Sequence, residues 1–156
     1  GGYSFISATY GSSFVEQTNS PTADANGNVT VNKGSYLPGI PQHLFKFGAR
    51  YWLTPKWRIG LTGTAQTSSY LYGDEANQNK PLPGYVTLNL DTQYQVTKNL
   101  QIFGNIDNFT DTKYYNYGTF SKIGEVYVAQ APNYDNPRSY ALAAPVAVIG
   151  GVKLTF

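Results

Sequence analysis

Leu44-Phe45-Lys46-Phe47-Gly48-Ala49-Arg50-Tyr51-Trp52-Leu53, then Thr54-Pro55-Lys56, then Trp57-Arg58-Ile59-Gly60-Leu61-Thr62-Gly63-Thr64-Ala65-Gln66, decides the fold. Phe45, Phe47, Ala49, Tyr51 and Leu53 occupy alternate positions, and Lys46, Gly48, Arg50 and Trp52 fill the gaps. After the turn the same parity resumes, with Trp57, Ile59, Leu61, Gly63 and Ala65 opposed by Arg58, Gly60, Thr62, Thr64 and Gln66. A repeat of two is the signature of a β-strand with a different environment on each face. The Thr54-Pro55-Lys56 stretch reads as a three-residue hairpin turn. The second strand is expected to run to about Tyr72.

The pattern recurs downstream. Val86, Leu88, Leu90, Thr92, Tyr94 and Val96 alternate with Tyr85, Thr87, Asn89, Asp91, Gln93 and Gln95. Thr97-Lys98-Asn99 is a second short turn, after which Leu100, Ile102, Gly104 and Ile106 carry the apolar face. The last stretch places Val146, Val148, Gly150, Val152 and Leu154 on one face, and the sequence ends on Phe156. Residues 2–14 read as a strand whose register is open, because aromatics fall on both faces. Residues 15–36, 73–84 and about 110–140 read as long polar loops. Proline-marked stretches (Leu37-Pro38-Gly39, Leu82-Pro83-Gly84, Ala144-Pro145) precede the strands that follow. Short turns therefore gather at one end and long loops at the other, with no helix required.

Composition narrows the class. Charged residues are 13% of the chain, about half the usual share in soluble domains. Aromatics reach 15%, with 14 Tyr and 16 Gly, yet mean hydropathy is slightly polar. Strands that alternate between lipid and water give such a profile, since averaging dilutes their apolar face. A net charge of +2 without a basic run gives nucleic acid no purchase. Cysteine is absent and His43 is the sole histidine, so neither thiol chemistry nor a histidine-rich metal site is expected. No catalytic constellation or cofactor-cradling loop is present; an enzyme is not expected, nor a cofactor.

Charge placement chooses between a soluble sandwich and a membrane barrel. The charges within the clear strands (Lys46, Arg50, Arg58, Asp91, Asp107 and Lys153) all lie on the polar face. Strands of roughly ten residues match the ~9–11 needed to cross a bilayer at a tilt, against about 5–6 in typical soluble sheets. Tyr51, Trp57, Tyr94 and Phe156 collect where the apolar face meets the short turns, as a membrane girdle would. The expected class is all-β: an antiparallel up-and-down transmembrane β-barrel. An open edge cannot be left in lipid, and bacterial single-chain barrels begin at about eight strands. The six strands read here, without an initiator methionine, are thus expected to form the C-terminal part of a larger barrel.

The run from Val86 to Tyr115, with Asn105-Ile106-Asp107-Asn108-Phe109-Thr110-Asp111-Thr112-Lys113-Tyr114 at its core, resembles the penultimate hairpin of TonB-dependent outer-membrane receptors. Leu37-Pro38-Gly39-Ile40-Pro41-Gln42-His43 and the stretch from Pro137-Arg138 to Phe156 fit the same family, so the resemblance covers most of residues 35–156. It implies that residues 1–156 are the last six strands of a 22-stranded barrel. The plug domain and the box that contacts TonB would lie upstream. It implies location in the bacterial outer membrane and import of a scarce nutrient, most often a ferric siderophore, driven by the proton motive force through TonB. A passive porin or other barrel, and a soluble adhesin-like sandwich, are the rival readings. The terminal pattern Val152, Leu154, Phe156 resembles the signal read by the barrel-assembly machinery.

Ligand contacts would come from the long loops. Tyr72, Asp74, Tyr115, Tyr117 and Arg138 are the candidates. The tyrosines of the last long segment (Tyr114, Tyr115, Tyr117, Tyr127, Tyr134, Tyr140) either stack on an aromatic ligand or pack the loops on one another. Arg138 either pairs with an anionic siderophore or with a structural carboxylate. Asp74-Glu75 lacks the further oxygens of a calcium site and reads as a solvated tip. His43 reads as a polar rim residue. The inward charges are expected to serve hydration and plug contacts.

Overall fold

The structure, a computed structural model, describes residues 1–122 and 136–156. Ten strands are present among them: β1 (Gly2–Phe5), β2 (Phe14–Gln17), β3 (Asn28–Val31), β4 (His43–Thr54), β5 (Trp57–Gln66), β6 (Tyr85–Gln95), β7 (Leu100–Asp107), β8 (Tyr115–Phe120), β9 (Arg138–Leu142) and β10 (Ala147–Leu154). Six of them form one antiparallel sheet in the order β1-β4-β5-β6-β7-β10, while β2–β3 and β8–β9 are separate hairpins.

The sheet keeps the sequence parity from strand to strand. Leu61 faces Leu90, Leu90 faces Ile106, and Ile106 faces Val148. Two rows toward the turns, Trp57 faces Tyr94, Tyr94 faces Ile102, and Ile102 faces Val152. Since the side-chain period is two, this register gathers every apolar set on one face. That face is uncovered: Phe47, Tyr51, Leu61, Leu90, Ile102, Val148 and Val152 are all exposed, Val148 at 74%. No second sheet packs against it among the described residues. A patch of this extent is incompatible with water and decides against a sandwich.

Several local features depart from the sequence reading. The strand expected over residues 2–14 is cut to Gly2–Phe5, with Tyr3 opposite Phe45 and Phe5 opposite His43, so its open register is settled. The expected loop over 15–36 contains the β2–β3 hairpin. Its strands are joined by residues 18–27, which end in a turn closed by Gly27 N–H donating to the Asp24 carbonyl at 2.9 Å, with Gly27 at φ 79°; Val29 and Val31 are its buried side. β5 stops at Gln66 instead of running to Tyr72, because residues 67–72 leave the ladder for contacts with other loops. The first turn is tighter than expected: only Pro55 and Lys56 lie between the strands, and an irregularity between Trp52 and Thr54 restores the parity. The segment 110–140 carries the β8–β9 hairpin. The second turn is as read, closed by Val96 N–H donating to the Leu100 carbonyl at 2.9 Å.

Candidate ligand-binding loops

All buried apolar side chains among the described residues (Val29, Val31, Leu71, Leu82, Phe120 and Ala143) lie outside the six-stranded sheet. Leu71, Leu82 and Phe120 form one small core, with Tyr115 against it. Backbone bridges bring these residues together: Ser69 pairs with Leu82, and Tyr72 with Thr119. Tyr72 N–H donates to the Gly118 carbonyl at 2.9 Å, and Phe120 N–H donates to that of Tyr72 at 3.2 Å. The long loops thus fold on one another as a cap on one end of the sheet.

Asp74 sits inside this cap, 1% exposed. Its Oδ1 accepts from Gln78 N at 3.0 Å and Asn79 Nδ2 at 2.8 Å, and its Oδ2 accepts from Asn79 N at 3.0 Å. The expected solvated tip is therefore a buried carboxylate that closes its own loop, as aspartates do in tight turns. Asn79 Nδ2 also reaches Ser20 Oγ at 2.9 Å, and Thr18 Oγ1 donates to the Gly73 carbonyl at 2.6 Å. Glu75 Oε1 accepts from Gly73 N, while its Oε2 is buried with no hydrogen-bond partner among the described residues. Burial pushes the Glu16 carboxyl above its usual range, and the nearby Glu75 charge adds to the shift. Burial, then Glu75 and Glu16, raise the Tyr10 phenol in the same way. No group of three metal-ligating side chains occurs among the described residues.

Of the candidate contacts, the structure brings Tyr72 and Tyr117 together, their rings stacked with centroids 5.2 Å apart and planes at 22°. Both remain exposed, at 45% and 46%. Tyr115 pairs instead with Tyr140 at 4.9 Å, and Tyr114 with Tyr85 at 4.1 Å. Arg138 begins β9, half-buried, opposite Phe120. Tyr127 and Tyr134 lie outside the described residues. Mutual packing accounts for the paired rings; Tyr140 also leaves ring surface open, but of these pairs only Tyr72–Tyr117 has both rings exposed.

The two faces of the sheet carry different chemistry. On the polar face Arg58 Nη2 and Asp91 Oδ2 form an ion pair at 2.9 Å across β5 and β6. Asp91 can lie there because Gly60, opposite it, has no Cβ to meet the carboxylate. An open groove of about 450 Å³ follows this face past Arg50, Asn89, Gln101 and Asp107. On the apolar face Tyr51, Trp57 and Tyr94 are exposed near the short turns, and Phe156 is fully exposed. Trp57 Nε1 donates to Thr92 Oγ1 at 2.9 Å, which satisfies the indole within the belt. Sequence reasoning missed a second aromatic row at the loop end. There Tyr3 stacks on Phe45 at 4.7 Å, Phe5 lies 5.2 Å from His43, and Tyr3 Oη bonds His43 Nδ1 at 2.9 Å. The odd parity that His43 shares with Phe45 was the available signal.

Residues 1–109 match the family model described as TonB dependent receptor-like, beta-barrel. The chain belongs to that family of bacterial outer-membrane proteins. It is 30% identical over 113 residues to a probable TonB-dependent siderophore receptor, PiuA, of Acinetobacter baumannii, covering 70% of this chain and 15% of that protein. The crystal structure of the siderophore receptor PiuA from Acinetobacter baumannii superposes with a TM-score of 0.64 at 18% identity, over 85% of this chain and 16% of that one. The closed form of the ferric-catecholate import receptor Fiu from E. coli K12 gives 0.58 at 20% identity, over 83% and 17%. At these identities the superpositions establish the fold. The chain spans about one-sixth of the length of these relatives.

Proposed function

We propose that this chain is an arc of a TonB-dependent receptor that captures a ferric siderophore at its loop end and imports it using the proton motive force relayed by TonB. The observation that carries the reading is an interlocked loop cap with an exposed tyrosine pair, Tyr72–Tyr117, on a barrel arc of this family. The sheet edges β1 and β10 have no further partner among the described residues, and lipid tolerates no open edge. The rest of the barrel, a plug and the TonB-contacting box belong to the remainder of the receptor. In this reading Tyr72 and Tyr117 face ligand, Tyr115 and Arg138 stand beside them, and Asp74 shapes the loop from within. Tyr51, Trp57, Tyr94 and Phe156 lie against outer-membrane lipid at the short-turn rim. Val152, Leu154 and Phe156 are read by the assembly machinery, so deleting Phe156 from the full-length receptor lowers its surface level.

Growth of a strain lacking the full-length receptor, on defined ferric siderophores as sole iron source, tests the reading. A defect on at least one of them, and its loss of rescue when TonB is also removed, is the expected result. Growth indistinguishable from the parent on every iron source sinks it. Rescue that persists without TonB points to a passive pore.

A further inference from the structure

We infer that Asn77 is a positioning residue: its side-chain amide tethers the β5–β6 loop to the backbone of Tyr36 and thereby presets the Tyr72–Tyr117 platform. The inference rests on the ligand reading above, and adds to it a residue that touches no ligand. Tyr36 N–H donates to Asn77 Oδ1 at 2.6 Å, and Asn77 Nδ2 donates back to the Tyr36 carbonyl at 2.9 Å. One amide thus satisfies both backbone groups of a residue 41 positions away, as a neighbouring β-strand would. Asn77 can point there because it adopts φ 58°, a left-handed conformation that asparagine tolerates better than most residues. Its own N–H donates to the Asp74 carbonyl at 2.9 Å, which joins the tether to the buried Asp74 turn.

Three residues beyond Tyr36 the chain reaches Gly39, at φ 74°, whose N–H donates to the Tyr70 carbonyl at 2.9 Å. The Tyr72 ring lies against the bare Cα of Gly39, in space that any Cβ there would take. Gly39 and Tyr117 together therefore fix the ring, and the position of Gly39 depends on how segment 36–39 is held. Asn77 holds it. A ring placed before the ligand arrives need not be ordered on binding, which improves affinity without a new contact.

The test uses the full-length receptor, in outer-membrane vesicles for amide exchange and in energised whole cells with TonB for uptake, with the ferric complex of dihydroxybenzoate as an aromatic chelate probe. Asn77→Gly keeps the left-handed backbone accessible and deletes the tether; Asn77→Asp keeps the acceptor for Tyr36 N–H and loses the donor. The expected result is faster amide exchange at Tyr36 and Tyr72 in N77G, by about tenfold or more for two ordinary hydrogen bonds, with N77D intermediate. Half-saturation for uptake of the probe rises by a similar factor, while the saturated rate changes little. Unchanged exchange at Tyr72 in N77G overturns the inference, as does a fall in saturated rate without a change in half-saturation. If the wild-type receptor does not bind the probe, the aromatic-ligand reading fails, and the exchange measurement alone decides the tether.

Discussion

The six-stranded sheet and the loop cap are built from one chain by opposite rules of burial. In the sheet, Phe47, Leu61, Leu90 and Val152 lie on an exposed face, and the Arg58–Asp91 ion pair lies on the other. In the cap, Leu71 and Val31 are fully buried, and the buried Asp74 and Ser20 are tied by hydrogen bonds. The cap obeys the rules of a small soluble domain. The sheet obeys those of a membrane barrel, where the hydrocarbon takes the place of a protein core and the polar side lines the lumen. Neither part explains the other's composition, and the low charge of the whole chain is an average over both.

The largest expected effect separates the two parts. Leu71→Ala removes the centre of the cap core and should cost the cap about 2–5 kcal/mol. In the full-length receptor, amides of residues 69–82 and 118–120 should lose exchange protection while the heat-modifiable gel shift of the folded barrel is kept. If barrel and cap melt together in this variant, the division into two building rules is wrong. Leu61→Arg acts on the other part: an arginine in the apolar belt should cost about 2–4 kcal/mol. Thr62→Arg, on the polar face one residue away, should cost little. Equal folding yields for the two variants in lipid vesicles would contradict the assignment of the faces.

A smaller effect is expected at the Trp57–Thr92 contact inside the belt. Thr92→Val leaves Trp57 Nε1 without its acceptor and should destabilise the barrel by about 1 kcal/mol. Pairing it with Trp57→Phe removes the stranded donor, so the double variant should be more stable than the sum of the single changes predicts. Additive losses, measured by denaturant titration in vesicles, would mean that the indole finds its partner at the membrane interface and not in Thr92.

The sheet was legible in the sequence because its signal is periodic and long. Parity alone placed Leu61, Leu90, Ile106 and Val148 on one face across four strands, and the short turns preserved it. The cap was hardly legible, since nothing in it repeats. Asp74 reads as a solvated tip and candidate contact, and Asn77 as an ordinary loop polar residue; their roles come from partners at Gln78, Asn79 and Tyr36, which a local pattern does not name. The β2–β3 hairpin lies between these extremes. Asn26-Gly27 reads as a turn and does end the connection over residues 18–27, but the polar residues around it hid the four-residue strands. Tyr72 shows the cost of trusting periodicity too far: the apparent continuation of β5 ends at Gln66, where contacts among loops outweigh another few rungs of the ladder.

The smallest effect concerns pH and should touch the cap alone. Glu16, half-buried in β2, has its carboxyl raised by burial and then by Glu75, whereas in the unfolded loop it returns to its ordinary value near 4.5. Between these two values the folded cap binds more protons than the unfolded one, so its stability falls as pH rises through that window. The contribution is fully present below the ordinary glutamate value and gone above the raised one. Amide exchange of the β2–β3 hairpin in the full-length receptor, corrected for the intrinsic pH dependence of exchange, should therefore show greatest protection on the acid side. Glu16→Gln should flatten the profile, and the sheet amides of β4 to β7 should not follow it. A profile that keeps its slope in the Gln variant would assign the titration to another group, and one shared by the sheet would couple the two regions that burial separates.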